Sequence, residues 1–226
     1  MSRLARYALL LVVGSLALLS MSGWLRAKAA IALPNPKVDE SVATAKGRET
    51  VVLAGGCFWG IQAVFEHVKG VVKATAGYSG GTVKNPGYEE VSTGTTGHAE
   101  SVEVVYDPSQ ITFGELLKIF FSAHDPTQLN RQGPDEGTQY RSAIFYENSE
   151  QARIARAYVA QLTAARTFSE PIVTQIAPFT AFYRAEAYHQ DYLEKHPENP
   201  YIVYNDLPKI ANLKKQFPDL YVTYPR

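Results

Sequence analysis

The sequence predicts an α+β or α/β fold built on a central mixed β-sheet flanked by helices. Three observations lead there. Short β-branched or apolar runs alternate with amphipathic helical segments from residue 49 onward, the pattern of a layered sheet-and-helix domain. No composition shift or internal repeat divides residues 49–226, and roughly 175 residues suit one domain in the usual range of ~50–250. Composition is ordinary, with 46% hydrophobic and 19% charged residues, which excludes disordered and collagen-like chains.

Taken in order, residues 1–30 read as a signal peptide or membrane anchor and not as part of the fold. Arg3 and Arg6 form a basic start, Tyr7 to Leu25 is apolar or small, and Ala27-Lys28-Ala29 has the small-x-small form of a cleavage site. The apolar run is also about long enough to span a bilayer, which takes ~17–25 residues. Either form places the domain outside the cytoplasm, in a periplasm, a lumen or the extracellular space. Without that segment 18 basic residues face 22 acidic ones. A net charge of −4 gives no electrostatic reason to bind nucleic acid. Residues 31–48, with Pro34 and Pro36 and no period, read as a linker.

The domain proper begins with a β-branched run at Thr50–Ala54. Cys57–Lys69 reads as a helix stopped by Gly70, and Val71–Tyr78 as extended. Gly77–Gly97 reads as a long loop of Gly, Asn, Pro and Thr; such a loop in a compact domain calls for a function. Ser101–Tyr106 is a strand ended by Asp107-Pro108. Thr112–His124 is a helix, with Thr112 as N-cap and Glu115 three residues on. Ser142–Tyr146 is a strand, Ser149–Arg166 a helix, Ile172–Ile176 a strand and Glu186–Lys195 a helix. From Pro197 the tail is Pro- and Tyr-rich.

Cys57 is the only cysteine, so no internal disulfide can form. It follows a strand and the turn Gly55-Gly56, in the first turn of the predicted helix. A helix N-terminus presents unpaired N–H groups and a positive dipole end, which predicts a lowered thiol pKa. On a helical wheel Ile61, Val64, Phe65 and Val68 fall within about 80° of Cys57 and form the core stripe. Phe58 lies at its edge. Trp59 points away, as a pocket wall, a lid contact or plain surface.

In His98–Tyr106 the period is two. Glu100, Val102, Val104 and Tyr106 share a core-directed row, while Glu103 shares the opposite face with Ala99 and Ser101. A carboxyl entering an apolar site holds its proton, so Glu100 is either an acid donor or a strand-end residue reaching water. No Pro-Cys-x-x-Cys follows His98-Ala-Glu100, as a zinc deaminase needs. His67, His124, His189 and His196 lack metal-ligand spacing, so no metal is predicted.

Gly-Cys-Phe-Trp-Gly at 56–60, Gly-Tyr-Ser-Gly-Gly at 77–81, Asn-Pro-Gly-Tyr at 85–88 and Gly-His-Ala-Glu at 97–100 resemble the A-type peptide methionine sulfoxide reductases. The likeness continues through His-Asp-Pro-Thr-Gln at 124–128, Gly-Thr-Gln-Tyr-Arg-Ser-Ala-Ile at 137–144 and Glu-Ala-Tyr-His-Gln-Asp-Tyr-Leu at 186–193. The resemblance implies an α+β two-layer sandwich with a ferredoxin-like arrangement, and a catalytic domain over 49–226. It implies that Cys57 attacks the sulfur of methionine-S-sulfoxide, free or in oxidised proteins, while Glu100 protonates the oxygen. Tyr88 and Tyr140 bond that oxygen. Phe58 and Trp59 cradle the methyl group, and Asp135 and His189 line the site. Methionine leaves and Cys57 becomes a sulfenic acid.

One departure matters. Many members of that family carry further cysteines that resolve the sulfenic acid, and this chain has none. No bound cofactor is expected. An external thiol must finish the cycle: thioredoxin, glutaredoxin with glutathione, or dithiothreitol in the test tube. Two other readings of the residues are a Cys/His hydrolase using His189 or His98 as base, and a non-catalytic redox sensor or binding module.

Overall fold

The computed structural model describes residues 32–223, so the segment read as a signal or anchor lies outside the described residues. Six strands form one sheet: β1 (Glu49–Gly55), β2 (Val71–Ser79), β3 (Ala99–Tyr106), β6 (Ser142–Tyr146), β7 (Gln175–Pro178) and β8 (Phe182–Arg184). Their spatial order is β7-β6-β1-β3-β2-β8. Every neighbouring pair is antiparallel except β6 and β7, so the sheet is mixed. Two-residue strands β4 (Arg131–Gln132) and β5 (Asp135–Glu136) pair separately.

Helix α1 (Phe58–Glu66) joins β1 to β2, and α3 (Phe113–Ala123) joins β3 to β6. The resulting β-α-β-β-α-β path, with β3 between β1 and β2, is the split βαβ of a ferredoxin-like arrangement. Side chains of α1, α3 and α4 (Ser149–Ala164) bury one face of the sheet in a core containing Leu53, Phe65, Val104, Phe120 and Tyr158. The other face carries a smaller cluster of Val52, Ala54, Ala99, Ala143 and Phe145. The chain between β7 and β8 covers it with Phe179.

The Thr112 cap forms as the sequence predicts. Its hydroxyl accepts from the Glu115 N–H at 3.2 Å, and the Glu115 carboxylate accepts from the Thr112 N–H at 3.0 Å. The segment read as a linker is packed onto the same helix. Asp39 accepts from the Gly114 N–H at 2.8 Å and Glu40 from the Phe113 N–H at 2.7 Å. Both acids thus satisfy orphan donors at a positive helix end.

The helix and loop assignments depart from the sequence reading at four places, and the strand read at Ile172–Ile176 begins only at Gln175. The helix read over Cys57–Lys69 runs only over Phe58–Glu66, with Cys57 as its N-cap. The long loop contains a short helix, α2 (Tyr88–Ser92). The helix read over Glu186–Lys195 is broken into a 3-10 turn, Ala187–His189, and a single turn, α5 (Tyr192–Lys195). Gln190 explains the break. Its side chain bonds the edge of β2, accepting from the Ala76 N–H at 3.0 Å and donating to the Ala76 carbonyl at 2.9 Å. Finally, the Pro-rich tail is helical: a π-helical turn, Ile202–Asp206, leads into α6 (Leu207–Gln216). Pro208 sits in the first turn of α6, where a proline costs no hydrogen bond.

Candidate active site

The site begins where β1 meets α1. Gly56 has φ +95, a left-handed conformation, and a Cβ there would stand 2.5 Å from Gln132. The turn delivers Cys57 to the helix N-cap with φ −52 and ψ 125. β3 brings Glu100 across from Tyr78 of β2. The Phe58 N–H donates to Glu100 Oε2 at 3.0 Å, so the carboxyl occupies one of the orphan donors of the helix start.

Cys57 and Glu100 are 7% and 3% exposed. Burial pushes the Glu100 carboxyl up to about 8, helped by Asp135 and Asp206 and opposed by the Phe58 N–H. The expectation of a lowered thiol pKa is overturned. Burial pushes the Cys57 thiol up, and the charges of Glu100 and Asp206 push the same way. The Trp59 amide and Lys209 pull against them without prevailing. A partial charge at a helix end does not offset near-complete loss of water around sulfur. The resting site therefore holds a neutral thiol beside a neutral acid.

A cavity of about 190 Å³ joins these two to Phe58, Trp59, Tyr88, Asp135, Tyr140 and Tyr201. Seven of the eight residues singled out from sequence line it. Burial, then the Glu100 charge, pushes the Tyr88 and Tyr140 hydroxyls up, so both stay protonated and can donate. Glu186 anchors Tyr88: its carboxylate accepts from the Tyr88 N–H at 2.8 Å and from the Tyr78 hydroxyl at 2.9 Å.

His189, the eighth, stands behind the cavity and not on its lining. Its ring lies 5.0 Å from that of Phe58 and 4.4 Å from that of Tyr88. Its Nδ1 accepts from the Trp59 indole N–H at 3.1 Å, which leaves the neutral ring's proton on Nε2. Burial pushes its pKa down, against Glu186. His189 braces Trp59. The Trp59 ring, which the wheel turns away from the core, is not free surface: it stacks on Tyr192 at 3.8 Å and meets Tyr201 edge-on at 5.8 Å.

A neutral acid, two neutral phenols and an aromatic wall around one thiol are what reduction of a sulfoxide needs. The family model for peptide methionine sulfoxide reductase matches residues 49–221. The chain belongs to the peptide methionine sulfoxide reductase family. A reductase of Mesorhizobium japonicum is 60% identical over 189 residues, 83% of this chain and 96% of that one. One of Thermus thermophilus is 49% identical over 172 residues, 76% of this chain and 97% of that one. Among solved structures, methionine sulfoxide reductase A of Corynebacterium diphtheriae matches with a TM-score of 0.61 and 42% identity, covering 74% of this chain and 84% of that one. Reduced Mxr1 of Saccharomyces cerevisiae matches with a TM-score of 0.61 and 35% identity, over 72% and 92% of the two chains.

The protein is thus an oxidoreductase of the methionine sulfoxide reductase type with one thiol. The hydrolase reading finds no support in its histidines. His98 Nδ1 accepts from the Gly81 N–H at 3.1 Å and its Nε2 lies 2.7 Å from the Val83 carbonyl, so the ring is spent on the loop. The sequence reading missed Tyr201, whose hydroxyl donates to the Asp135 carboxylate and closes one side of the cavity. It also missed Asp206 and Lys209, the charged pair behind the thiol. The only signal for Tyr201 was the Tyr-rich composition of the tail.

Proposed function

We propose that the chain reduces the S epimer of methionine sulfoxide, free or in oxidised proteins, with Cys57 as nucleophile and Glu100 as general acid. The methyl group rests on Phe58 and Trp59, and the oxygen faces Glu100, Tyr88 and Tyr140. Protonation by Glu100 makes the oxygen a leaving group while Cys57 sulfur bonds to the substrate sulfur. The thiol proton returns to Glu100. The sulfur–oxygen bond of the substrate breaks and the oxygen leaves as water. A water then attacks the Cys57 sulfur and gives its proton to Glu100, the sulfur–sulfur bond breaks, methionine departs, and Cys57 is left as a sulfenic acid. Thiol plus sulfoxide becomes sulfenic acid plus sulfide, with no proton gained or lost overall. The observation that carries this reading is Glu100, an acid held protonated near neutral pH on the wall of the thiol's own cavity.

An external thiol then attacks the sulfenic sulfur, releasing water and leaving a mixed disulfide that a second thiol resolves. Thioredoxin, or glutaredoxin with glutathione, fills this role because the sequence has one cysteine. We place the enzyme outside the cytoplasm, cleaved from or anchored by residues 1–30, on the strength of that segment's charge and apolar run. A turnover assay with dithiothreitol, thioredoxin, and glutaredoxin plus glutathione in turn tests the cycle. Sustained methionine release with at least one of them is expected. No turnover with any would refute the external-thiol cycle.

A further inference from the structure

The Pro- and Tyr-rich tail carries a buried ion pair. Asp206 is fully buried, and its Oδ1 lies 2.9 Å from Lys209 Nζ. Its other oxygen, Oδ2, is buried without a hydrogen-bond partner. Both side chains press on the first turn of α1 at Gly60, three residues after Cys57. A Cβ at Gly60 would stand 2.1 Å from Asp206 Oδ1 and 2.7 Å from Lys209 Nζ. Only glycine lets the pair approach there.

The π-helical turn makes the approach possible. In an α-helix with 3.6 residues per turn, positions five apart point about 140° away from each other. An i→i+5 turn is wider, and it brings them nearer to the same side. Tyr201 and Asp206 are five apart; Tyr201 caps the start of the turn Ile202–Asp206 and Asp206 ends it. One end of this turn lines the cavity through Tyr201, bonded to Asp135, and the other sits against the helix that Cys57 caps.

A buried ion pair is weak evidence for stability, since its desolvation cost rivals its attraction. Its place is better evidence. We propose that Asp206 and Lys209 are positioning residues for Cys57: the pair docks the C-terminal helix onto the first turn of α1 and fixes the electrostatic field in which the thiol reacts. The proposal rests on Cys57 being the reactive thiol. The other groups facing that thiol are Glu100 from β3, Tyr88 from α2, Asp135 from β5, and Tyr140 and Tyr201 from the adjoining turns. Asp206 pushes the thiol's pKa up and Lys209 pulls it down, so the two members act on it with opposite sign.

That opposition is testable without turnover. Alkylation of Cys57 by iodoacetamide, measured against pH in the full chain, reports the thiol alone. Asp206→Asn should move the midpoint down by about one pH unit, making alkylation about tenfold faster at a fixed pH below it. Lys209→Met should move the midpoint up, and the two substitutions combined should fall between the singles. The combined variant leaves no unpaired buried charge and so guards against a folding failure in either single. Midpoints moved in the same direction by the two singles, or a combined variant outside their range, would overturn the proposal; so would folded variants with unchanged midpoints. If the midpoints move as stated but no variant or parent forms methionine, the pair's role survives and the reductase reading fails.

Discussion

Glu100 is the proposed proton donor, and its environment fixes two outcomes. Replacing it by Gln keeps the size and the bond to Phe58 but removes the proton donor. The chemical step should slow by roughly 10²–10⁴-fold, as for loss of a general acid, while substrate affinity stays near that of the parent. Rapid-quench measurement of methionine release separates the two. The same substitution has a pH signature in stability. Below about 4.5 the carboxyl is protonated in both folded and unfolded chains and costs nothing. Between about 4.5 and about 8 the unfolded chain ionises while the folded one holds its proton, so the parent loses stability as pH rises. Glu100→Gln escapes that loss. Its advantage in unfolding free energy over the parent, read from urea midpoints, should grow from pH 4.5 to 8 and then level off, by an amount on the order of a few kcal/mol. A constant difference across that range would mean Glu100 is an ordinary carboxylate. Glu100 itself was legible in the sequence because period two fixes which face a strand residue takes. The resting state of Cys57 was not legible, since a thiol's desolvation depends on walls contributed by distant segments such as Tyr201 and Asp206.

At the scale of elements, what is local was readable and what is borrowed was not. The Thr112–Glu115 box lies within four residues, and the helix forms where it predicts. The same helix also takes Asp39 and Glu40 from 73 to 75 residues away, and no local pattern announces that. Asp39→Ala should cost roughly 1 kcal/mol by loss of a cap, and Glu40→Ala a similar amount, read as a lower urea midpoint with unchanged m-value. No change in either would mean the segment merely lies against the helix. The Glu186–Lys195 run shows the converse. Its composition is helical, but Gln190 is drawn to the β2 edge, and Asp191 takes φ +55 as a result. Tertiary bonding overrides propensity there. The strand read at Ile172–Ile176 begins three residues later, because its register is set by pairing with β6 and not by its own apolar residues.

For the whole molecule, the sheet order places Cys57 just beyond the end of the central strand β1 and Glu100 near the start of its neighbour β3, which brings the proposed nucleophile and the proposed acid together. The C-terminal segment then walls the cavity with Tyr201. The single cysteine decides how the cycle must end, because no second thiol can reach Cys57 from within the chain. One measurement tests this directly: purified protein is mixed with excess methionine-S-sulfoxide and no reductant, and methionine is counted against Cys57 sulfenic acid. The expected result is one methionine per chain, one sulfenic acid on Cys57, and neither product in Cys57→Ser. Absence of the burst, or a burst that survives Cys57→Ser, would contradict it.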